Sequence, residues 1–169
     1  MRAHRASCLL EDKIKSLGQL SKITARLRKC GKIVVFTNGC FDILHFGHAK
    51  YLQDAASLGD VLVVAVNSDS SIKSIKGKDR PIVDEKNRMR MIAALESVDF
   101  VTLFSQSTPI NAIKAIKPSI LVKGADWSKG NIVGSDFVTG CGGRVKSVKL
   151  VKGLSTTNLI NKIVKKSSG

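Results

Sequence analysis

The stretch FTNGCFDILHFGHAKYL, residues 36–52, holds two of the chain's three histidines as His45-Phe46-Gly47-His48. It follows an apolar, β-branched run and leads into a helical pattern. Imidazole N–H groups donate hydrogen bonds to phosphate oxygens. A helix N-terminus adds free amides and the positive end of its dipole. Gly47 leaves room beside the rings, and Gly39 lets a ligand approach the backbone or lets the chain take an unusual φ. Together these residue types suit the stabilisation of charge on a phosphate undergoing substitution.

These residues need a scaffold, and its pattern is legible. Residues 32–37 (KIVVFT) and 61–67 (VLVVAVN) read as buried strands, the second apolar on both faces as parallel strands are. A helix predicted from His48 joins them, so strand, loop, helix and strand form a right-handed βαβ unit. Further strands are expected at 100–104, 120–123 and 144–150. Further helices are expected at 84–95, at 109–116 behind Pro109, and at 155–166 behind a Ser/Thr cap. Residues 9–29 carry apolar side chains at helical spacing and predict one or two helices broken near Gly18. Residues 68–83 (SDSSIKSIKGKDRPIV) read as a basic loop. Alternating elements predict an α/β, Rossmann-like, open and mostly parallel five-stranded sheet with helices on both faces. Ligands then bind beyond the carboxyl ends of the strands, where the opening stretch lies.

Composition narrows the class. The chain has 169 residues, 43% hydrophobic and 24% charged, an ordinary globular balance. No apolar run is long enough for a membrane span. Residues 1–17 lack a secretory h-region, so a cytoplasmic location is expected. Cys8, Cys30, Cys40 and Cys141 form no CxxC pair and are expected to be free thiols. The net charge is +15, with eight Lys/Arg in residues 1–30 and seven after Asp136, beyond which there is no acid. That field attracts polyanions, either nucleic acid or phosphorylated small molecules. With one Trp, one Tyr and six Phe, there is little material for a base-stacking platform.

The run FTNGCFDILHFGH resembles the HxGH signature of the nucleotidyltransferase superfamily. KGKDRPI (76–82), VKGADW (122–127) and STTN (155–158) extend the likeness to one branch, the D-glycero-β-D-manno-heptose 1-phosphate adenylyltransferases. In many bacteria that activity is the C-terminal half of a bifunctional protein. The organisation this implies is a helical N-terminal extension (1–30), a nucleotidyltransferase domain (31–166) and a disordered tail (167–169).

By resemblance, His45 and His48 are catalytic and contact the phosphates in the transition state. Phe36, Thr37, Asn38, Gly39 and Phe41 would wall the nucleotide phosphates, with Lys123, Gly124 and Asp126 approaching after the fourth strand. Ser155, Thr156 and Thr157 would offer donors to the β/γ-phosphates, beyond a simple capping role. Lys50, Lys78 and Arg80 would take the acceptor, Arg80 bidentately. Asp42 is expected to order the loop, with metal binding as its alternative, and Arg88 to be exposed. No protein metal ligands are assigned; Mg²⁺ would be held mainly by phosphates and water. The superfamily often ends ISSTxxR, but here Ile160 stands in the arginine's place, as the heptose branch tolerates.

The implied reaction transfers AMP from ATP to the heptose 1-phosphate, giving ADP-heptose and pyrophosphate for lipopolysaccharide or another surface glycan. Alternatives are the same chemistry with CTP and glycerol 3-phosphate, GTP and heptose 1-phosphate, or ATP and FMN. A basic nucleic-acid-binding protein is the alternative from another class, disfavoured by the intact histidine pair. The N-terminal amphipathic helix leads to the expectation of a homo-oligomer, a dimer or tetramer.

Overall fold

In the computed structural model, residues 10–125 and 132–167 are described. Five strands, β1 (Val34–Gly39), β2 (Val61–Asn67), β3 (Phe100–Phe104), β4 (Ile120–Gly124) and β5 (Arg144–Val148), form one sheet in the order β3-β2-β1-β4-β5. Every pairing is parallel. The expected open α/β sheet is therefore present, entirely parallel, with the switch in strand order between β1 and β4. The helices are α1 (Leu10–Lys13), α2 (Leu17–Lys29), α3 (Phe46–Ala56), α4 (Asp69–Lys76), α5 (Glu85–Ala93), α6 (Ile110–Ile116), α7 (Ser135–Gly140) and α8 (Thr156–Ser167).

Strand alternation divides the core. Val35, Leu62, Val64, Val66 and Val101 face a layer with Leu52, Ala55 and Ile92 of α3 and α5. Val34, Phe36, Val63, Ala65 and Leu121 face the other, with Leu20 of α2, Ile113 and Ile116 of α6, and Val138 of α7. Both faces are covered, which is why the strands read as continuous apolar runs.

Residues 10–29 are helical, but the break falls at 14–16 rather than at Gly18. Ile14 bridges Val101, and Ser16 caps α2 through a reciprocal box with Gln19. Gly18 lies inside the helix. The apolar face of α2 is turned inward: Leu20 is fully buried, Thr24 Oγ1 donates to the Ile116 carbonyl at 3.0 Å, and Arg28 donates to the same oxygen. These residues are packed into the domain's core instead of presenting a free face to a partner.

One helix stands where a loop was expected, and a second falls where no element was assigned. Within 68–83, Ser68 caps α4 by accepting from Ser71 N, and Ile72 is fully buried beneath it. The serine-rich composition that suggested a loop supplies the cap. Helix α7 is short, and its Val138 fills the core beside β5's connection. Ser167 ends α8 with its Oγ donating to Ile163 O at 3.1 Å, while 168–169 lie outside the described residues.

Candidate active site

Beyond the carboxyl ends of the strands lies a cavity of about 720 Å³, the size of a small-molecule site. β1 contributes Asn38 and Gly39, β4 Lys123 and Gly124, and β2 Asn67. Residues 40–42 and α3 contribute Phe41, Asp42, His45, Gly47, His48 and Tyr51. α8 and the segment before it contribute Leu154, Ser155, Thr156 and Thr157, and Lys76 at the end of α4 also lines it.

The histidines form a stacked pair, with centroids 3.8 Å apart and ring planes 21° apart. His45 is the N-cap of α3 in extended backbone, and its side chain makes no capping bond. Both its ring nitrogens and Nδ1 of His48 are buried with no hydrogen-bond partner. Orphaned buried donors are costly in a resting protein and are reasonable where a ligand satisfies them. The Phe41 ring meets His48 edge-on at 5.4 Å. Gly47 is required by space: a Cβ there would sit 2.9 Å from His45 Cε1 and 3.4 Å from Leu154 Cβ.

Burial lowers the pKa of His45. His48 is lowered to about 4 by burial first, then by the charges of His45 and Lys76, with Asp42 opposing weakly. At neutral pH both rings are uncharged donors waiting for an anion. Nearby charge comes from Lys76 and from Lys123, whose Nζ donates to Asn38 Oδ1. Ser155 caps α8 by accepting from Asn158 N at 3.1 Å, so this helix N-terminus also opens on the cavity.

The loop between β1 and α3 is held by two side chains. Asp42, 1% exposed, accepts from Arg80 Nε at 2.9 Å, Ile82 N at 3.0 Å and Val83 N at 3.0 Å. Its burial would raise its pKa, but the Val83 and Ile82 amides and Arg80 outweigh that and hold it below the usual carboxylate range. Arg88, expected to be exposed, is also 1% exposed. Its guanidinium donates to the carbonyls of Cys40 (2.6 Å), Asn67 (2.8 Å) and Val83 (2.9 Å) and to Asp69 Oδ1 (2.7 Å). It ties together the ends of β1 and β2, the start of α4 and the segment ahead of α5.

Of the residues singled out from sequence, Asn38, Gly39, Phe41, His45, His48, Lys123, Gly124, Ser155, Thr156 and Thr157 meet in this cavity. Phe36 does not: it is fully buried in the layer with α2 and α6. Thr37 is buried too, its Oγ1 2.7 Å from Tyr51 Oη, so it fixes α3 rather than lining the site. Strand alternation and depth put both behind the wall made by residues 38–39. Lys50 points elsewhere, pairing with Asp54 one turn along α3 and lining a separate groove with Phe46 and Leu95. Lys78 is exposed on the 77–80 turn, and Arg80 reaches the site through Asp42. Asp126 lies outside the described residues. Sequence reading missed Tyr51, Asn67 and the Phe104–Pro109 edge; only the fold brings them here. Lys76 had a signal, since it opens the KGKDRPI run.

Among the described residues, no cluster of three or more His, Cys, Asp or Glu is placed to hold a metal. Asp42 is the one described carboxylate lining the cavity, and its oxygens are engaged. Among the described residues no helix is long and apolar enough to cross a membrane.

Residues 36–161 match the cytidylyltransferase-like family model. The chain is 54% identical over 153 residues to the bifunctional protein HldE of Campylobacter fetus, and 50% identical over 155 residues to that of Geobacter metallireducens. These alignments cover 90% and 92% of this chain but 32% of each relative, so the chain spans about a third of their length. Among solved structures, a lipopolysaccharide core biosynthesis protein from Thermoplasma volcanium superposes with a TM-score of 0.61 at 35% identity, covering 72% of this chain and 98% of that one. A stacked histidine pair at the start of α3, set in a parallel sheet with these relatives, makes the chain a member of the cytidylyltransferase-like family of HxGH nucleotidyltransferases.

Proposed function

We propose that the chain transfers AMP from MgATP to D-glycero-β-D-manno-heptose 1-phosphate, giving ADP-heptose and pyrophosphate. The observation that carries the chemistry is the neutral, stacked His45–His48 pair with unpartnered nitrogens, sharing one cavity with Lys123 and the N-terminus of α8. The choice of substrates is supported by the motif likeness and by relatives that cover nearly the whole chain.

An acceptor phosphate oxygen attacks the α-phosphorus in line; the new P–O bond forms as the bond to pyrophosphate breaks. The acceptor is already an anion, so no strong general base is needed. Catalysis rests on positioning and charge neutralisation. His45 and His48 donate to the phosphoryl oxygens, where charge builds up. The α8 N-terminus, with Ser155, Thr156 and Thr157, holds the β/γ-phosphates. Lys123 and Lys76 supply positive charge, and Mg²⁺ arrives with the nucleotide as part of the substrate. Arg80 and Lys78, on the turn beside the cavity, attract the sugar phosphate. A cytoplasmic site of action and a homo-oligomeric state belong to the same proposal.

The test is pyrophosphate release with Mg²⁺, crossing ATP, CTP and GTP with the heptose 1-phosphate, glycerol 3-phosphate and FMN. Release is expected with ATP and the heptose phosphate alone, and lost in His48→Ala. Release with a different pair would keep the mechanism and replace the substrates. A folded protein silent across the grid, yet retained on nucleic acid in a salt-sensitive way, would overturn the enzymatic reading.

A further inference from the structure

Three separate segments meet at Asp42. Its carboxylate takes Arg80 and the amides of Ile82 and Val83, while its backbone carbonyl accepts from Thr156 Oγ1 at 2.6 Å. The residues on either side, Phe41 and Ile43, have φ of +48° and +47°. Left-handed backbone is costly for side chains of this size, above all for a β-branched isoleucine, and persists only where surrounding bonds over-determine it. Here it accompanies an Asp42 carboxylate that lines the cavity and is fastened to residues 80–83. One residue thus fastens the HxGH loop to the basic turn on one side and to the start of α8 on the other.

We infer that Asp42 is a positioning residue that couples the two substrate subsites, so that nucleotide and acceptor phosphate bind cooperatively. This rests on the functional reading above, in which α8 holds the triphosphate tail and the Arg80 turn attracts the acceptor. A triphosphate on α8 orders Thr156 and, through the Thr156–Asp42 bond, the loop. The loop's carboxylate then holds residues 80–83 in place before the acceptor arrives. The second ligand pays less of the ordering cost, which is cooperativity without a large movement. Reciprocity requires the acceptor to strengthen nucleotide binding by the same factor.

The experiment is calorimetric titration of the full chain with the magnesium complex of α,β-methylene-ATP, with and without saturating heptose 1-phosphate. In the wild type the acceptor should tighten nucleotide binding at least about fivefold. Asp42→Asn, which keeps the shape but loses the charge, should bring the ratio close to one. Thr156→Val removes the hydroxyl donor and should do the same, even where it also weakens nucleotide binding overall. Thr156→Ser should restore the ratio. Should Asp42→Asn fail to fold, the two Thr156 variants decide the matter. A wild-type ratio near one with both ligands bound, or an unchanged ratio in Thr156→Val, overturns the coupling and leaves the adenylyltransferase reading standing. An acceptor that neither binds nor supports pyrophosphate release overturns both.

Discussion

Replacing Gly47 with alanine should separate stability from activity. Gly47 lies in the first turn of α3, where alanine is the better helix former by roughly 0.5–1 kcal/mol. Its absent Cβ would stand 2.9 Å from His45 Cε1 and 3.0 Å from His45 Nδ1. Ordinary contact needs about 3.5 Å or more, so the imidazole must move by roughly half an ångström to one ångström. The ring is stacked on His48, and that shift takes it out of its stack. A misplacement of about 1 Å at reacting groups costs on the order of 100-fold. Gly47→Ala should therefore lower kcat by about 10- to 100-fold, roughly 1.4–2.7 kcal/mol of barrier, while the melting temperature holds or rises. Pyrophosphate release and thermal unfolding on the same preparation measure both. A variant as active as wild type would refute the assigned role of His45. A loss of activity matched by a loss of stability would refute the reasoning about space.

Other outcomes follow from the same geometry. His48 is held neutral down to about pH 4, whereas an unfolded histidine protonates near 6.5. The stability this histidine contributes is complete above pH 6.5 and lost as pH falls towards 4; His48→Gln should flatten urea midpoints across that window. Leu20→Ala should cost about 2–5 kcal/mol in urea unfolding, because α2 belongs to the core, and a chain lacking residues 10–29 should lose its cooperative transition. Lys50→Ala should leave the KM for the acceptor within about twofold of wild type, since the exposed Lys50–Asp54 pair faces away from the cavity.

What could be read from the sequence was what local pattern controls. The strand runs read at 32–37 and 61–67 announce themselves because both sides of a parallel strand are covered, although the first strand is placed at 34–39. The HxGH stretch is contiguous, so its order of strand, loop and helix was visible too. The misses share a different cause. Arg88 looked like a solvated helix residue because nothing local shows that the carbonyls of Cys40 and Asn67, from two distant segments, converge on it. Phe36 and Thr37 sit in the motif run, but distance along the strand and side-chain alternation decide that, of β1, residues 38–39 reach the cavity. Helix α4 was hidden because serine and aspartate favour caps and turns in isolation, and only the burial of Ile72 tips that segment into a helix.

The strand order also governs how the protein is made. β1 is central, yet its two neighbours are β2, which follows at once, and β4, which begins only at Ile120. A chain emerging from the ribosome pairs β1 with β2 and β2 with β3 while the other side of β1 still lacks β4. The edge from Val34 to Gly39, apolar through Phe36, is bare over that interval, a template for pairing between nascent chains. α2 cannot shield its layer of the core before α6 arrives either, because Thr24 and Arg28 take their shared acceptor from Ile116. The cavity closes last of all, when α8 delivers Thr156 to Asp42. Slow synthesis, or a stall between residues 104 and 120, should therefore lead to aggregation of partly folded chains, and a holdase that covers the open edge of β1 would raise the yield of active protein.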